Sequence, residues 1–228
     1  MLILMDIQDV IIGGRSCRIY SQQEPEYLLI QPTARHESAA IDREMELIAS
    51  QSGHRFVMAA FWVDDWALGL MPWHDDAVSR REAVGQHGTD TLRYVCDVLM
   101  PWLGRHYGPL PVVLGGYSLG GLFALWASCL CEGICGVAAA SPSVWIEGWM
   151  EFASAHATRA GRVYMSLGDR EEHARNKSMA RVGDNIRATN AMLMEQLGGA
   201  CTTLEWNSGG HFGDEAARTA RAFAWVMG

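Results

Sequence analysis

The stretch Pro111-Val112-Val113-Leu114-Gly115-Gly116-Tyr117-Ser118-Leu119-Gly120-Gly121 constrains this chain more than any other. A buried-type β-branched run meets glycines and a serine, and residues 119–131 then have helical length and an apolar composition. Strand and helix follow each other with no room for a linker, so Ser118 must sit on a sharp bend. Gly-x-Ser-x-Gly at 116–120 suits that bend, because side chains at the flanking positions would collide with the turn. Such a turn lifts the Ser118 hydroxyl above the sheet. It also aims the Leu119 backbone N–H, at the positive end of the helix, toward an oxygen that gains negative charge.

The rest of the chain carries the alternation that such a unit needs. Short β-branched runs alternate with amphipathic ones, which predicts an α/β fold with a mostly parallel, doubly wound sheet flanked by helices. Residues 9–20 read as an opening hairpin turning at Gly13-Gly14, and 27–31 as a strand that Pro32 stops. Helix is expected over 37–51, where Ile41, Met45 and Ile48 share a face. A strand over 55–61 leads into a long aromatic-rich connection reaching about residue 87. Thr89-Asp90 can cap a helix that Pro101 bends or ends. Strands at 111–116, 134–140, 162–167 and 202–206 and helices at 177–197 and 214–227 complete the pattern. No repeat, linker or low-complexity tract divides the 228 residues, so one domain over 1–228 is expected, with no separate cap domain.

Composition narrows the partners. A net charge of −8 opposes nucleic acid and anionic lipid. Met1 to Asp6 lacks a basic n-region and meets an acid early, so neither a signal peptide nor a membrane span is expected. A cytoplasmic location with reduced thiols follows. Cys17, Cys96, Cys129, Cys131, Cys135 and Cys201 sit mostly in apolar runs, as small hydrophobes. No histidine is interleaved with Cys129, Cys131 and Cys135, so no metal site is expected there. Homodimerisation would need an exposed apolar patch, which nothing in the string locates.

A serine hydroxyl needs a general base to become a nucleophile. In strand-turn-helix sites of this kind the chain order is serine, acid, histidine. His156, His173 and His211 follow Ser118, and His211 lies in Asn207-Ser208-Gly209-Gly210-His211-Phe212-Gly213, directly after the last strand. Flanking glycines let its imidazole reach across the sheet's edge. The acid should follow the strand ending at Leu167, where Asp169, Glu171 and Glu172 compete to orient the imidazole.

Gly-Tyr-Ser-Leu-Gly-Gly at 116–121, Ser-Leu-Gly-Asp-Arg-Glu-Glu at 166–172 and Gly-Gly-His-Phe at 209–212 together resemble the esterase branch of the α/β hydrolases. That branch includes the enterochelin esterase-like and esterase D-like proteins. The resemblance runs from about residue 26 to the end. It implies a cofactor-free serine esterase acting on a small-molecule carboxylic ester through an acyl-enzyme. Many members carry the acid three residues after a glycine that closes the preceding strand, which here points to Glu171 first and Asp169 next. The branch often takes its second oxyanion donor from a His-Gly or Asp-Gly pair. Pro32 replaces the glycine here, leaving the N–H of Thr33 or Ala34 for that role.

Trp62, Trp66 and Trp73 crowd the segment after the 55–61 strand, and Trp145 follows the 134–140 strand. They are expected to wall the pocket, with Trp149 adding to it. An acyltransferase, thioesterase or peptidase would use the same residues, and a non-catalytic binding module would retain the same fold.

Overall fold

Gly13 and Gly14, both with positive φ, turn the chain between β1 (Asp6–Ile12) and β2 (Arg15–Ser21). The computed structural model of the protein describes residues 5–34, 38–75, 78 and 87–228. β3 (Tyr27–Thr33) is followed by α1 (Ser38–Gln51) and β4 (Phe56–Trp62); residue 37, the expected start of that helix, lies outside the described residues. α2 (Trp66–Leu70) is capped by Asp65, whose side chain accepts from the Leu68 N–H. Later come β5 (Val112–Tyr117), α5 (Leu119–Leu130), β6 (Ile134–Ala140) and α6 (Trp149–Ala155). β7 (Arg162–Gly168), α7 (Lys177–Ala180), α8 (Val182–Leu197), β8 (Thr202–Asn207) and α9 (Glu215–Met227) close the chain. Between α2 and β5, α3 (Gly88–Arg93) and α4 (Met100–Tyr107) are joined by a π-helical segment, Tyr94–Leu99.

Eight strands form one sheet in the order β1-β2-β4-β3-β5-β6-β7-β8. The β1–β2 and β2–β4 pairs are antiparallel and all others parallel. One face packs Ile41, Met45 and Ile48 of α1 and Phe223 and Val226 of α9 on Leu29, Met58 and Val113. The other face packs Leu122, Phe123 and Trp126 of α5 and Ile186 and Leu193 of α8 on Ile30, Leu114 and Val163. The order in which the strands are added reverses between β3 and β5, and the crevice outside their C-terminal ends is where ligands of open α/β sheets bind.

Several expectations are corrected. Pro32 does not stop β3 but lies within it, opposite Phe61. The Thr33 carbonyl accepts from Val63 on the β4 side, so the Pro32 nitrogen faces the β5 side, where pairing has ended at Ile30. The missing N–H therefore breaks no ladder bond. Thr89 and Asp90 lie inside α3, and Pro101 opens α4 rather than ending a helix, with the wider π turns immediately before it. The long aromatic connection contains α2, and the 177–197 helix is two helices meeting at Arg181. The expectation of reduced thiols fails at Cys96 and Cys131. Packing of the π segment on the end of α5 brings their Cα atoms to 6.2 Å, and they are joined by a disulfide. No helix among the described residues is long and apolar enough to cross a membrane.

Close backbone packing around β5 sets up a first prediction. A Cβ added at Gly115 would stand 2.7 Å from the Ala138 carbonyl oxygen and 2.5 Å from Phe223 Cζ. The carbonyl belongs to the neighbouring strand and cannot move aside alone. Gly115→Ala is therefore expected to destabilise the protein by about 1–3 kcal/mol. A lower urea midpoint at unchanged slope would register this; an unchanged midpoint would contradict it.

Candidate active site

The turn after β5 is as tight as its glycines imply. Ser118 has φ 56° and ψ −118°, a region that non-glycine residues adopt only when their surroundings hold them there. Its N–H donates to the Ala140 carbonyl at 3.0 Å, and its own carbonyl accepts from Leu122 and Ser143. Added Cβ atoms would meet the Gly120 backbone at 3.0 Å from Gly116, and the Gly116 carbonyl at 3.0 Å from Gly121. The chain thus folds on itself so closely that only glycines fit around Ser118.

Three sheet-edge loops converge there. His211, from the loop between β8 and α9, places Nε2 at 3.0 Å from Ser118 Oγ. Its Nδ1 lies 2.7 Å from Glu171 Oε2. A carboxylate can only accept, so Nδ1 carries the proton, leaving Nε2 free to accept the Ser118 hydroxyl proton. Glu171 begins a short 3-10 helix, Glu171–His173, after β7. Its Oε1 accepts from the Gly168 N–H at 2.7 Å and the Ser141 hydroxyl at 2.9 Å.

The other carboxylates face elsewhere. Asp169 accepts from the Gly209 N–H at 2.8 Å, bracing the histidine loop without meeting the imidazole. Glu172 pairs with Arg187, whose hydrogen bond holds its carboxyl below the usual range. His156 stacks on Phe152 of α6, and the His173 N–H caps the 3-10 turn. Neither is drawn to Ser118.

Leu119 is the first residue of α5, whose opening amides have no partner inside the helix. Thr33 is a correction. Its carbonyl accepts from Val63, so strand alternation turns its N–H to the β4 side, away from Ser118. Among the tryptophans, Trp66 and Trp145 line the cleft at Ser118. Trp62 instead lines a separate hollow with Arg15, Asp64 and His87. Trp73 donates to the Glu147 carbonyl at 2.6 Å and packs on Phe152, bracing the loop behind Trp145. Trp149 is buried and donates to Thr189, remote from the cleft. Composition marks a tryptophan as a wall, but strand alternation and packing decide which cavity it lines.

Two hollows open on either side of Ser118 and His211. One, about 240 Å³, has walls of Pro142, Trp145, Ala174, Met179 and Val182. The other, about 430 Å³, runs past Pro32, Ile41, Glu44 and Trp66. Phe212, 92% exposed, stands at the mouth of both. Sequence reasoning missed Ser143, whose hydroxyl lies 3.2 Å from Ser118 Oγ. It also missed Tyr117, whose hydroxyl donates to the His211 carbonyl, and the buried Arg218. Burial pushes the Tyr117 phenol up, which keeps it a proton donor. The Ser-Pro-Ser run at 141–143 was the one signal that could have pointed to Ser143.

No family model matches the chain, and no curated protein does. Solved structures do. An IroE-like serine hydrolase from Shewanella oneidensis superposes with a TM-score of 0.71 at 11% identity, over 98% of this chain and 79% of that one. The siderophore hydrolase EstA from Aspergillus nidulans gives 0.69 at 16% identity, over 98% and 93%. The enterobactin esterase FES from Shigella flexneri also gives 0.69 at 16% identity, over 99% of this chain and 59% of its own. The chain has the α/β-hydrolase fold that these structures share, with an eight-stranded sheet.

Proposed function

We propose that this chain is a serine hydrolase that cleaves small-molecule carboxylic esters through an acyl-enzyme on Ser118. The observation that carries the reading is the continuous relay from Ser118 Oγ through His211 to Glu171, with steps of 3.0 and 2.7 Å, beside a cleft. Ser118 Oγ attacks the ester carbonyl while His211 Nε2 takes its proton. Glu171 stabilises the imidazolium and keeps its orientation. The Leu119 N–H and the positive end of α5 stabilise the oxyanion. His211 then protonates the leaving alcohol. A water deprotonated by the same nitrogen cleaves the acyl-enzyme and restores Ser118. The side chain of His211 is 25% exposed, so water has a path to the acyl-enzyme, which favours hydrolysis over transfer to another acceptor. The serine hydrolase, the siderophore hydrolase and the enterobactin esterase that share the fold support the same chemistry.

A fluorophosphonate probe is expected to label the protein at Ser118, as mapped by peptide mass spectrometry, and short-chain aryl esters to be hydrolysed. His211→Gln should abolish labelling, because the hydroxyl loses its base. A folded wild-type protein that resists the probe would favour a non-catalytic role for the fold.

A further inference from the structure

Arg218, on α9, is charged yet only 4% exposed. A buried guanidinium persists only where hydrogen bonds and counter-charge offset its lost hydration. Its Nη2 donates to the Ser208 carbonyl at 3.1 Å, and Nη1 lies 3.0 Å from the Gly210 carbonyl. Nη1 also faces the Tyr117 hydroxyl at 3.1 Å, Glu171 Oε1 at 3.4 Å and Ser141 Oγ at 3.5 Å. Because the Tyr117 hydroxyl itself donates to the His211 carbonyl, one guanidinium governs three consecutive-turn carbonyls, of Ser208, Gly210 and His211. The loop is pressed closely upon it: a Cβ at Gly213 would stand 2.6 Å from Nη2. A loop with glycines at 209, 210 and 213 has many conformations to lose, and the planar fork of arginine restrains it at fixed angles.

We infer that Arg218 is a positioning residue of this site. It holds the loop that presents His211 between Ser118 and Glu171, and it balances the Glu171 charge. This inference rests on the Ser118–His211–Glu171 reading. Two roles are separable. The carbonyl contacts are geometric and need the fork. The charge acts on Glu171, which is faced by His211 from the β8–α9 loop, by Arg218 from α9, and by the Ser141 hydroxyl and Gly168 N–H. Asp169 lies beside them on Gly209, and Arg170 reaches the same glycine from the β7 side.

The test compares wild type with Arg218→Met, Arg218→Lys and Tyr117→Phe, each checked for folding by circular dichroism, in the kcat and KM of aryl-ester hydrolysis. Arg218→Met should lower kcat about 10- to 100-fold and leave KM nearly unchanged. Arg218→Lys keeps the cation but not the planar fork. Its kcat should still be low, because one ammonium cannot span the Ser208 and Gly210 carbonyls. Tyr117→Phe removes the hydroxyl through which Arg218 reaches the His211 carbonyl but leaves the Ser208 and Gly210 contacts, and it should lower kcat less. A folded Arg218→Met with wild-type kcat overturns the inference, as does a rise in KM at constant kcat. Should Arg218→Met fail to fold, wild-type kcat in both Arg218→Lys and Tyr117→Phe overturns it. A wild type that neither hydrolyses esters nor takes up the probe removes the underlying reading instead.

Discussion

Ser118→Ala is expected to lower kcat/KM for short-chain aryl esters about 10⁴-fold or more and to eliminate probe labelling. No other hydroxyl can replace it. Ser143 Oγ lies 3.2 Å from Ser118 Oγ, but it is not the atom facing His211 Nε2, and it does not sit on the turn that opens α5. Folding should be little affected. The hydrogen bonds that hold the turn come from the Ser118 backbone, to Ala140, Leu122 and Ser143. The strained dihedrals are as unfavourable for alanine as for serine. Steady-state kinetics with a thermal melt on the same preparation decide the matter. Activity within tenfold of wild type, at an unchanged melting temperature, would sink the assignment of Ser118.

Glu171→Gln should cost nearly as much, about 10³- to 10⁴-fold in kcat, for a reason visible in the hydrogen bonds. The Oε1 position receives donors from Gly168, Ser141 and Arg218, so the amide oxygen of glutamine must occupy it. The amide nitrogen is thereby turned toward His211 Nδ1, a donor facing a donor. The imidazole is driven to carry its proton on Nε2, where it can no longer act as base toward Ser118. Asp169→Asn is the internal comparison. It keeps an oxygen for the Gly209 N–H, and it should stay within about tenfold of wild type. Equal losses in the two variants would mean that Glu171 has no special part in orienting His211.

Much of the fold was legible in the sequence because its strands are short apolar runs closed by turn residues. β6 falls on 134–140 as expected, and β5, β7 and β8 within a residue of their expected bounds. The misreadings share a cause. Pro32 and Pro101 were weighed as local breakers, but a proline breaks an element only if its absent N–H was needed. At Pro32 the pairing with β5 has already ended, and at Pro101 the helix has already widened into π turns. Arg218 escaped notice because a charged residue in an amphipathic helix reads as solvent-facing, and its partners lie 8 to 101 residues away. Cys96 and Cys131, 35 residues apart, escaped for the same reason.

Sequence alone pointed to the bend at Ser118, since glycines at 116 and 121 around one serine suit a turn where backbone meets backbone. It also placed His211 in a loop able to reach that serine. Tertiary structure alone decided which carboxylate faces the imidazole. Asp169, Glu171 and Glu172 lie within four positions and share one chemistry, so residue type does not separate them, and only the family resemblance ranked Glu171 first. The turn after β7 sends Asp169 to Gly209, Glu171 inward to His211 and Glu172 out to Arg187. Side-chain direction is set by what packs around a turn, and the groups that pack here come from β6, β8 and α9, far away along the chain.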